Sequence, residues 1–529
     1  MTRKGPLSHE QGSIFKKWTD RVPTCVVFPN TYYVGMSNLA VHILYRTLNT
    51  FPEVVCERAF FELGTPALSL ESGRPLSSFE IIFLTLSFEM DFLNIPHLLE
   101  RAGIPAMRKD RSGPDPIVVA GGPCVTADPE PMADFVDLFV MGDIESTIAP
   151  FIERYIDLRG RDREEVVEGL SSWAWVYNPA HLRMDYGEDG TVAGFEPPGY
   201  GVEILRARGR TLGRSAIITD DTEFAGTYLV EGTRGCPSRC PFCLTGSSRG
   251  FVSDPIEDLP EGVKDVGIMG GGVSFHPHLA SLITRLQGQG IRVHLPSLRV
   301  DEVPLPVIEL IKDDVKTLTF GIEAGTERLR RFIGKPLPDQ EIYDRIEAIM
   351  GMKSFHLKLY FMIGLFGESH EDVERIVELA RHVMHVMVKK GARRGSVGSI
   401  TVHVSPFVPK PATPFQWLPM DAMESLKEKI SLLKRGFGKA PNTHFTHESV
   451  KHSLLQAVLS RGDRRLTNVI MALSGGSSLT KVMRESALNL NFYATRERGR
   501  DEIFPWDFIS TRQEKDRLYG RLQDALGKV

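Results

Sequence analysis

The chain has 529 residues, 42% of them hydrophobic and 25% charged, with a net charge of −4. That is ordinary for a soluble globular protein with room for two to four domains, and it excludes a disordered chain; six cysteines are also too few for a secreted disulfide framework. The weakly acidic balance gives no reason to expect a nucleic-acid partner, no stretch reaches the roughly 20 apolar residues of a spanning helix, and MTRKGPLSHEQ has no apolar run behind its basic residues, so a cytoplasmic protein with no membrane partner is expected.

Residues 1–160 alternate short apolar runs, PTCVVFP, EVVCERAF, FEIIFLTLSF, DPIVVAGGP and FVDLFVMGD, with helical stretches such as SNLAVHILYRTL and IPHLLERAGI. This pattern predicts a parallel, doubly wound, Rossmann-like α/β sheet, in which ligands sit beyond the carboxyl ends of the strands. Those ends carry PNTYYVGMSNL, SFEMD, GGPCVTADPEP and MGDIES, loops rich in small residues that let a backbone approach a polar ligand. No G-x-G-x-x-G follows the first strand, which disfavours a nicotinamide dinucleotide.

Residues 161–225 read as a connector without sustained periodicity. From Gly226 six runs resume the alternation, GTYLVEGTRG, KDVGIMGGG, GIRVHLPSLRV, VKTLTFGIEAG, FHLKLYFMIG and SITVHVSP. They predict a partial (β/α)6 TIM-like barrel over residues 226–420, with its chemistry at the strand ends. Residues 421–529 read as a C-terminal helical domain, through AMESLKEKISLLKRGF and HESVKHSLLQAVLSRGDRRL, and Trp506 beside Pro505 predicts an anchored tail. This domain either caps the barrel and shapes a substrate pocket or simply packs against it. The basic clusters Arg206, Arg208, Arg210 and Arg214, and Lys389, Lys390, Arg393 and Arg394, lack interleaved aromatics and read as solvated surface rather than as a nucleic-acid interface.

Three cysteines, Cys236, Cys240 and Cys243, fall at C-x3-C-x2-C in EGTRGCPSRCPFCLTG, directly after the first barrel strand. Iron–sulfur clusters normally take four cysteine thiolates. A compact trio with no fourth nearby leaves one iron open to an external ligand, which is a catalytic arrangement. The competing reading is a zinc-binding interaction protein. Structural zinc needs four closed ligands, yet Cys25, Cys56 and Cys124 are single and scattered, and His276 and His278 lie beyond the usual finger spacing.

With this spacing and the aromatic Phe242 before the last cysteine, the chain resembles the radical S-adenosylmethionine (SAM) superfamily. The resemblance implies a 4Fe–4S cluster on the three cysteines, SAM chelated at the open iron, an external electron donor and an oxygen-sensitive site suited to anaerobic conditions. It implies a 5′-deoxyadenosyl radical able to take hydrogen from unactivated carbon. Further SAM contacts follow from it at Gly270, Gly271 and Gly272, at Ser297, Arg299 and Glu323, and at Tyr360 and Met362 beside Gly364 and Gly367. Where the superfamily usually shows Gly-Gly-Glu, this chain has GGGV followed by Ser274, His276 and Pro277, as in its cobalamin branch. Taken singly, Arg299 and Glu323 also fit ordinary strand-end ion pairs.

The first domain is similar to the cobalamin-binding domain that precedes many such modules. The resemblance is carried by Gly121, Gly122 and Pro123, by Asp128, Pro129, Glu130 and Pro131, and by MGDIE at 141–145. It implies cobalamin contacts at Asn30, Tyr32, Tyr33, Val34, Gly35, Met36, Ser37, Ser87, Phe88, Glu89, Gly121, Gly122, Pro123, Gly142 and Glu145. The pattern Asp-x-His-x-x-Gly is missing, so the lower face of cobalt would be open or met by a residue other than histidine, with Tyr32, Tyr33, Val34 and Met36 as candidates to face the metal. A bare Rossmann-like partner module is the alternative.

Together the modules resemble a cobalamin-dependent radical SAM methyltransferase, which moves a methyl group from SAM through methylcobalamin to an unactivated carbon. Such chemistry asks for no protein acid or base, because the cofactors carry it. VFPNTYYVGMSNL, the cluster loop and the FPWDF tail carry a narrower resemblance to archaeal enzymes that C-methylate a glutamine of methyl-coenzyme M reductase. That implies a peptide or protein substrate, with a small molecule as the alternative. A cobalamin radical enzyme performing cyclisation or ring rearrangement would share every motif. Methylthio transfer is disfavoured, because the N-terminal domain lacks a three-cysteine set of its own.

Overall fold

The computed structural model describes residues 5–206, 212–509 and 511–529. Strands β1 (Val22–Phe28), β2 (Val54–Phe60), β3 (Ile81–Thr85), β4 (Ile117–Gly121) and β5 (Leu138–Val140) form a parallel sheet in the order β2-β1-β3-β4-β5. Every residue of β1 and β3 is buried, as unbroken apolar runs require when both faces are covered. Helices Leu39–Thr50 and Ile144–Leu158 cover one face. The apolar core on the other face continues without a break into that of the barrel and C-terminal helices. Helix Thr467–Ser474 packs there against helix Ile95–Arg101, with Ser474 Oγ accepting from the His97 amide at 3.1 Å.

The stretch expected to be a connector takes part in both domains. Strand β6 (Val176–Tyr177) joins the first sheet antiparallel to β5. The hairpin β7 (Arg183–Tyr186) and β8 (Val192–Glu196) follows, and its Val192 pairs with Ile503 of the tail. Two residues are too short a run to show periodicity in the sequence, which is why β6 is invisible there.

The second domain contains β9 (Tyr228–Glu231), a ribbon of β10 (Thr233–Arg234) with β11 (Val252–Ser253), and then β12 (Asp265–Met269), β13 (Arg292–His294), β14 (Thr317–Glu323), β15 (His356–Ile363), β16 (Ile400–Pro406) and β17 (Thr443–His447). The parallel orders β9-β12-β13 and β14-β15-β16-β17 meet through a bridge between Leu298 and Phe320. Among the described residues the barrel therefore has seven strands rather than six, and the segment after Met420 is not all helical. The seventh, THFTH, has Phe445 as its one apolar residue and lies at an open edge, a pattern easily read as loop.

Burial alternates strictly along β15 and β16. Leu357, Leu359, Phe361 and Ile363 point outward, in one core with helices Asp339–Met352, His370–Gly391 and Met423–Phe437, while Lys358, Tyr360, Met362, Thr401, His403 and Ser405 face the barrel interior. Among the described residues no helix is long and apolar enough to cross a membrane.

Candidate active site at the meeting of two domains

The cluster loop leaves the carboxyl end of β9 and is pressed into shape by glycines. Gly235 has φ 77°, and a Cβ there would stand 2.4 Å from the Gly250 carbonyl oxygen. Gly334, at φ 76°, leaves room for Pro241 and Cys240. Cys240 is buried, its Sγ 4.0 Å from the Gly334 carbonyl, and Cys236 and Cys243 are half-buried. Burial pushes the Cys240 thiol up to about 11, Lys335 and Arg299 pull it down, and the other two thiols push it up again. Three cysteine sulfurs close enough to feel one another, with two cations beside them, fit a 4Fe–4S cluster as donor set.

Among the described residues no group of three or more His, Cys, Asp or Glu side chains is placed to hold a single metal ion. His276 is committed elsewhere: Nε2 lies 2.8 Å from the Asp254 carbonyl and Nδ1 accepts from the His278 amide at 3.2 Å. Cys25, Cys56 and Cys124 are free and buried in the first domain.

Around the cluster loop the structure gathers several of the expected SAM residues. Gly270, at φ 143°, sits against Thr233, where a Cβ would meet Thr233 Oγ1 at 2.2 Å; Gly271 and Gly272 lie against Thr245 and Phe251. Glu323 is held at φ 74°, an unusual conformation for a side chain larger than glycine, and accepts from Lys335 Nζ at 2.6 Å. Arg299 donates to Asp301 Oδ1 at 3.1 Å and to Ser238 Oγ at 3.2 Å in the cluster loop, so this guanidinium is already partnered. Ser297 is exposed. Phe242 and Met362 pack together on an aromatic cluster of Phe332, Phe407, Phe415, Trp417, Phe504 and Trp506. Tyr360 stands edge-on to His403, ring centroids 5.3 Å apart.

Sequence reasoning missed Lys335, whose only signal is its place in the segment after Glu323. It also gave the tail no position. Trp506 Nε1 donates to Gln416 Oε1 at 2.9 Å, helix Arg512–Leu526 sinks Leu518, Leu522 and Ala525 into the aromatic cluster, and Arg521 donates to the Arg239 carbonyl of the cluster loop.

The first sheet turns its carboxyl edge towards the same loop. A cavity of about 530 Å³ lies between the two domains, lined by Ser87, Gly121, Gly122, Pro123, Gly142 and Glu145 from one side and by Thr233, Gly235, Ser247, Gly270 and Gly271 from the other. Gly122 and Gly142 have φ of 119° and 147°, and a Cβ on either would collide with a backbone carbonyl, of Leu86 or Leu205. The hydroxyls of Thr85, Thr233 and Ser247, all of which line this cavity, are buried without a hydrogen-bond partner. Orphaned buried hydroxyls in a cavity wall are a mark of a missing polar ligand or water.

Two ion-pair sets join the domains across this cavity. Arg249 grips both oxygens of Asp143 at 2.8 and 2.6 Å, and Arg234 holds Glu145 at 2.7 Å and Glu231. Asp143 went unselected in MGDIE, although the motif contains it.

The loop after β1 divides into two groups. Tyr33 and Val34 are 53% and 42% exposed, and Phe88, from the loop after β3, is 46% exposed. The other residues expected to meet a corrinoid are turned inward or occupied. Met36 is buried with Arg58 Nη1 3.3 Å from its sulfur, and the Tyr32 hydroxyl donates to Glu10 at 2.6 Å, so neither faces a ligand at the sheet edge. Gly35 packs on Phe60. Asn30 donates to Asp91 at 2.8 Å, Ser37 Oγ donates to the Tyr33 carbonyl at 2.7 Å, and Glu89 is a buried strut between Lys410 and Gln456, at 2.5 and 2.9 Å. These side chains tie down the loops from which Tyr33, Val34 and Phe88 project.

Of the basic clusters, Arg206 lines the cavity, Arg214 donates to the Asp258 carbonyl at 3.0 Å and Lys390 pairs with Glu347 at 2.8 Å. Arg208 and Arg210 lie outside the described residues, as does the Arg393 side chain.

Residues 40–179 match the family model for radical SAM proteins, N-terminal, and residues 230–380 that for the radical SAM superfamily. The uncharacterized protein MJ0966 of Methanocaldococcus jannaschii is 28% identical over 476 residues, 88% of this chain and 94% of that protein. An uncharacterized methyltransferase, PH0819 of Pyrococcus horikoshii, is 28% identical over 291 residues, 50% of this chain and 57% of its own length. Among solved structures the cobalamin-dependent SAM radical enzyme OxsB aligns over 96% of this chain and 81% of its own at 12% identity, with a TM-score of 0.46. The superfamily implies a 4Fe–4S cluster and SAM, for which the cysteine loop and the glycine cradle supply the donors and the space. Residues 40–179 and 230–380 are radical SAM domains, and the chain is a radical SAM enzyme.

Proposed function

We propose that the chain is a cobalamin-dependent radical SAM methyltransferase acting on an unactivated carbon of a peptide or protein. The observation that carries this reading is the single cavity shared by the carboxyl edge of the first sheet and the cluster side of the barrel. The order β2-β1-β3-β4-β5 puts its switch point between β1 and β3, where ligands of such sheets bind, and Tyr33, Val34 and Phe88 rise from the two loops that flank it. A cavity walled mainly by apolar side chains such as Ile43, Phe83 and Val140, with the hydroxyls of Thr85, Thr233 and Ser247 among them, suits a large planar ligand with a polar tail, as a corrinoid is. The methyltransferase name of the Pyrococcus relative points the same way.

When bound, the cluster supplies an electron to the SAM sulfonium and the corrinoid supplies a methyl carrier. The protein's own tasks are positional. Cys236, Cys240 and Cys243 hold the cluster; Gly270, Gly271 and Gly272 keep a backbone edge open for the amino acid part of SAM; Glu323, fixed by Lys335, offers a carboxylate to ribose or amine. Asp143 and Glu145, gripped by Arg249 and Arg234, keep the two binding edges at one distance, and the tail helix over the cluster loop keeps water out. The narrow sequence resemblance makes a glutamine of methyl-coenzyme M reductase the specific substrate to try.

Anaerobic reconstitution with iron, sulfide, cobalamin, a reductant and methyl-labelled SAM tests the proposal. Methyl transfer yields 5′-deoxyadenosine and S-adenosylhomocysteine together, with label in the substrate. 5′-Deoxyadenosine alone would replace methylation by a cyclisation or rearrangement.

A further inference from the structure

The inner face of the barrel between β14 and β17 is lined by polar groups that, apart from the SAM candidate Tyr360, the proposed cofactor sites do not use. Strand register sets them in rows: Tyr360 beside His403 beside Thr446, and one step deeper Lys358 beside Thr401 beside His444. His403 Nδ1 lies 2.9 Å from Thr446 Oγ1, and Nε2 lies 3.4 Å from Glu448. Lys358 is the exception in this network. Its Nζ lies 5.0 Å from the centre of the Tyr360 ring, and among the described residues no carboxylate comes within salt-bridge distance.

The neighbouring carboxylates are committed. Glu323 belongs to Lys335 at 2.6 Å, Glu448 to His403, and Asp265 on β12 to Arg292 and His294 at 2.8 and 2.9 Å. A half-buried ammonium left without a counter-charge, next to hydroxyl and imidazole groups, favours an anion that can accept several hydrogen bonds. At the barrel mouth Lys335 is neutralised by Glu323, whereas on the inner face of β15 and β16 Lys358 has no such partner among the described residues.

We infer that the inner face of β15 to β17 recognises a carboxylate of the substrate, with Lys358 as its counter-charge and Thr401 beside it on the same face. The inference rests on the radical SAM reading for the location of the reacting carbon above this face, and it deepens that reading by naming a chemical class of substrate. The carboxylate could be carried by a small acid or by an acidic side chain of a peptide.

Saturation-transfer NMR on the reconstituted full chain, with SAM present, tests it using succinate, succinamide, 1,4-diaminobutane and the peptide acetyl-Gly-Asp-Gly-amide. Succinate or the peptide should bind, succinamide more weakly, and diaminobutane not at all. Lys358→Met and Lys358→Gln should each weaken carboxylate binding about tenfold, the worth of one charge-assisted contact, while Lys358→Arg retains it and iron content and melting temperature stay unchanged. The tighter of succinate and peptide identifies the source of the acid. Equal binding to wild type and both Lys358 removals, or preference for the diamine, overturns the inference. Because binding is read without turnover, absence of 5′-deoxyadenosine with carboxylate binding intact would break the functional reading alone.

Discussion

At the barrel mouth Glu323 and Arg299 are each held by a partner of opposite charge, whereas at the carboxyl edge of the first sheet large side chains stand uncovered. Glu323 sits in a left-handed conformation with Lys335 on its carboxylate, and Arg299 is shared between Asp301 and Ser238. Across the cavity, Tyr33, Val34 and Phe88 are open to solvent and Thr85 Oγ1 has no partner. The first is the build of a site that must fix a small polar ligand in one pose. The second is the build of a site finished by a large ligand that brings its own apolar face.

Five substitutions break or sharpen this contrast. The largest effect belongs to Cys240→Ala, which should reduce bound iron and 5′-deoxyadenosine release to background while corrinoid binding at the other edge persists; metal analysis beside the corrinoid absorption spectrum reads both. Next, Gly142→Val places a branched side chain where even a Cβ would be 2.2 Å from the Leu205 carbonyl oxygen. It should cost at least about 1–3 kcal/mol of stability, the usual price of a strained backbone, and abolish corrinoid retention on gel filtration with iron retained.

Asp143→Asn cuts the two-pronged contact with Arg249 between the domains. A denaturant titration should show a loss of roughly 1–3 kcal/mol, whereas Glu145→Gln, at a more exposed pair, should lose about 0–1 kcal/mol. Equal losses would mean that the latch is spread evenly rather than centred on Asp143.

The remaining effect is a pH slope, small at neutral pH. His42 is buried on helix Leu39–Thr50, its Nε2 3.0 Å from the Met36 carbonyl and its Nδ1 accepting from the Ala216 and Ile217 amides. Burial lowers its pKa to about 4. The unfolded chain, with an imidazole near 6.5, therefore binds more protons between these values, so stability is full above about pH 6.5 and falls as pH drops towards 4, by at most about 1.4 kcal/mol per pH unit. His42→Gln should flatten that part of the curve in thermal melts at graded pH.

The five strands of the first sheet and six of the barrel were legible because each is an apolar run bounded by turn residues. β6 and β17 were not, one being two residues long and the other polar at every position but Phe445. The cysteine loop was legible because its chemistry is written within eight residues. Lys335, Asp143, Arg234 and Arg249 were not, because their meaning comes from partners brought near by folding: Cys240 and Gly334 are 94 positions apart, Arg249 and Asp143 106. Charged residues are common, and only tertiary structure tells a latch from a solvated surface. The inward turn of Met36 was hidden for the same reason, since Arg58, its partner, lies on the neighbouring strand β2.

The central claim is that one chain holds an iron–sulfur centre and a corrinoid on opposite walls of one cavity. Quantifying metals in anaerobically purified and reconstituted protein tests it most directly. The account predicts about four irons on the cysteine loop and about one cobalt per chain. About one zinc, with neither iron nor cobalt, would contradict it.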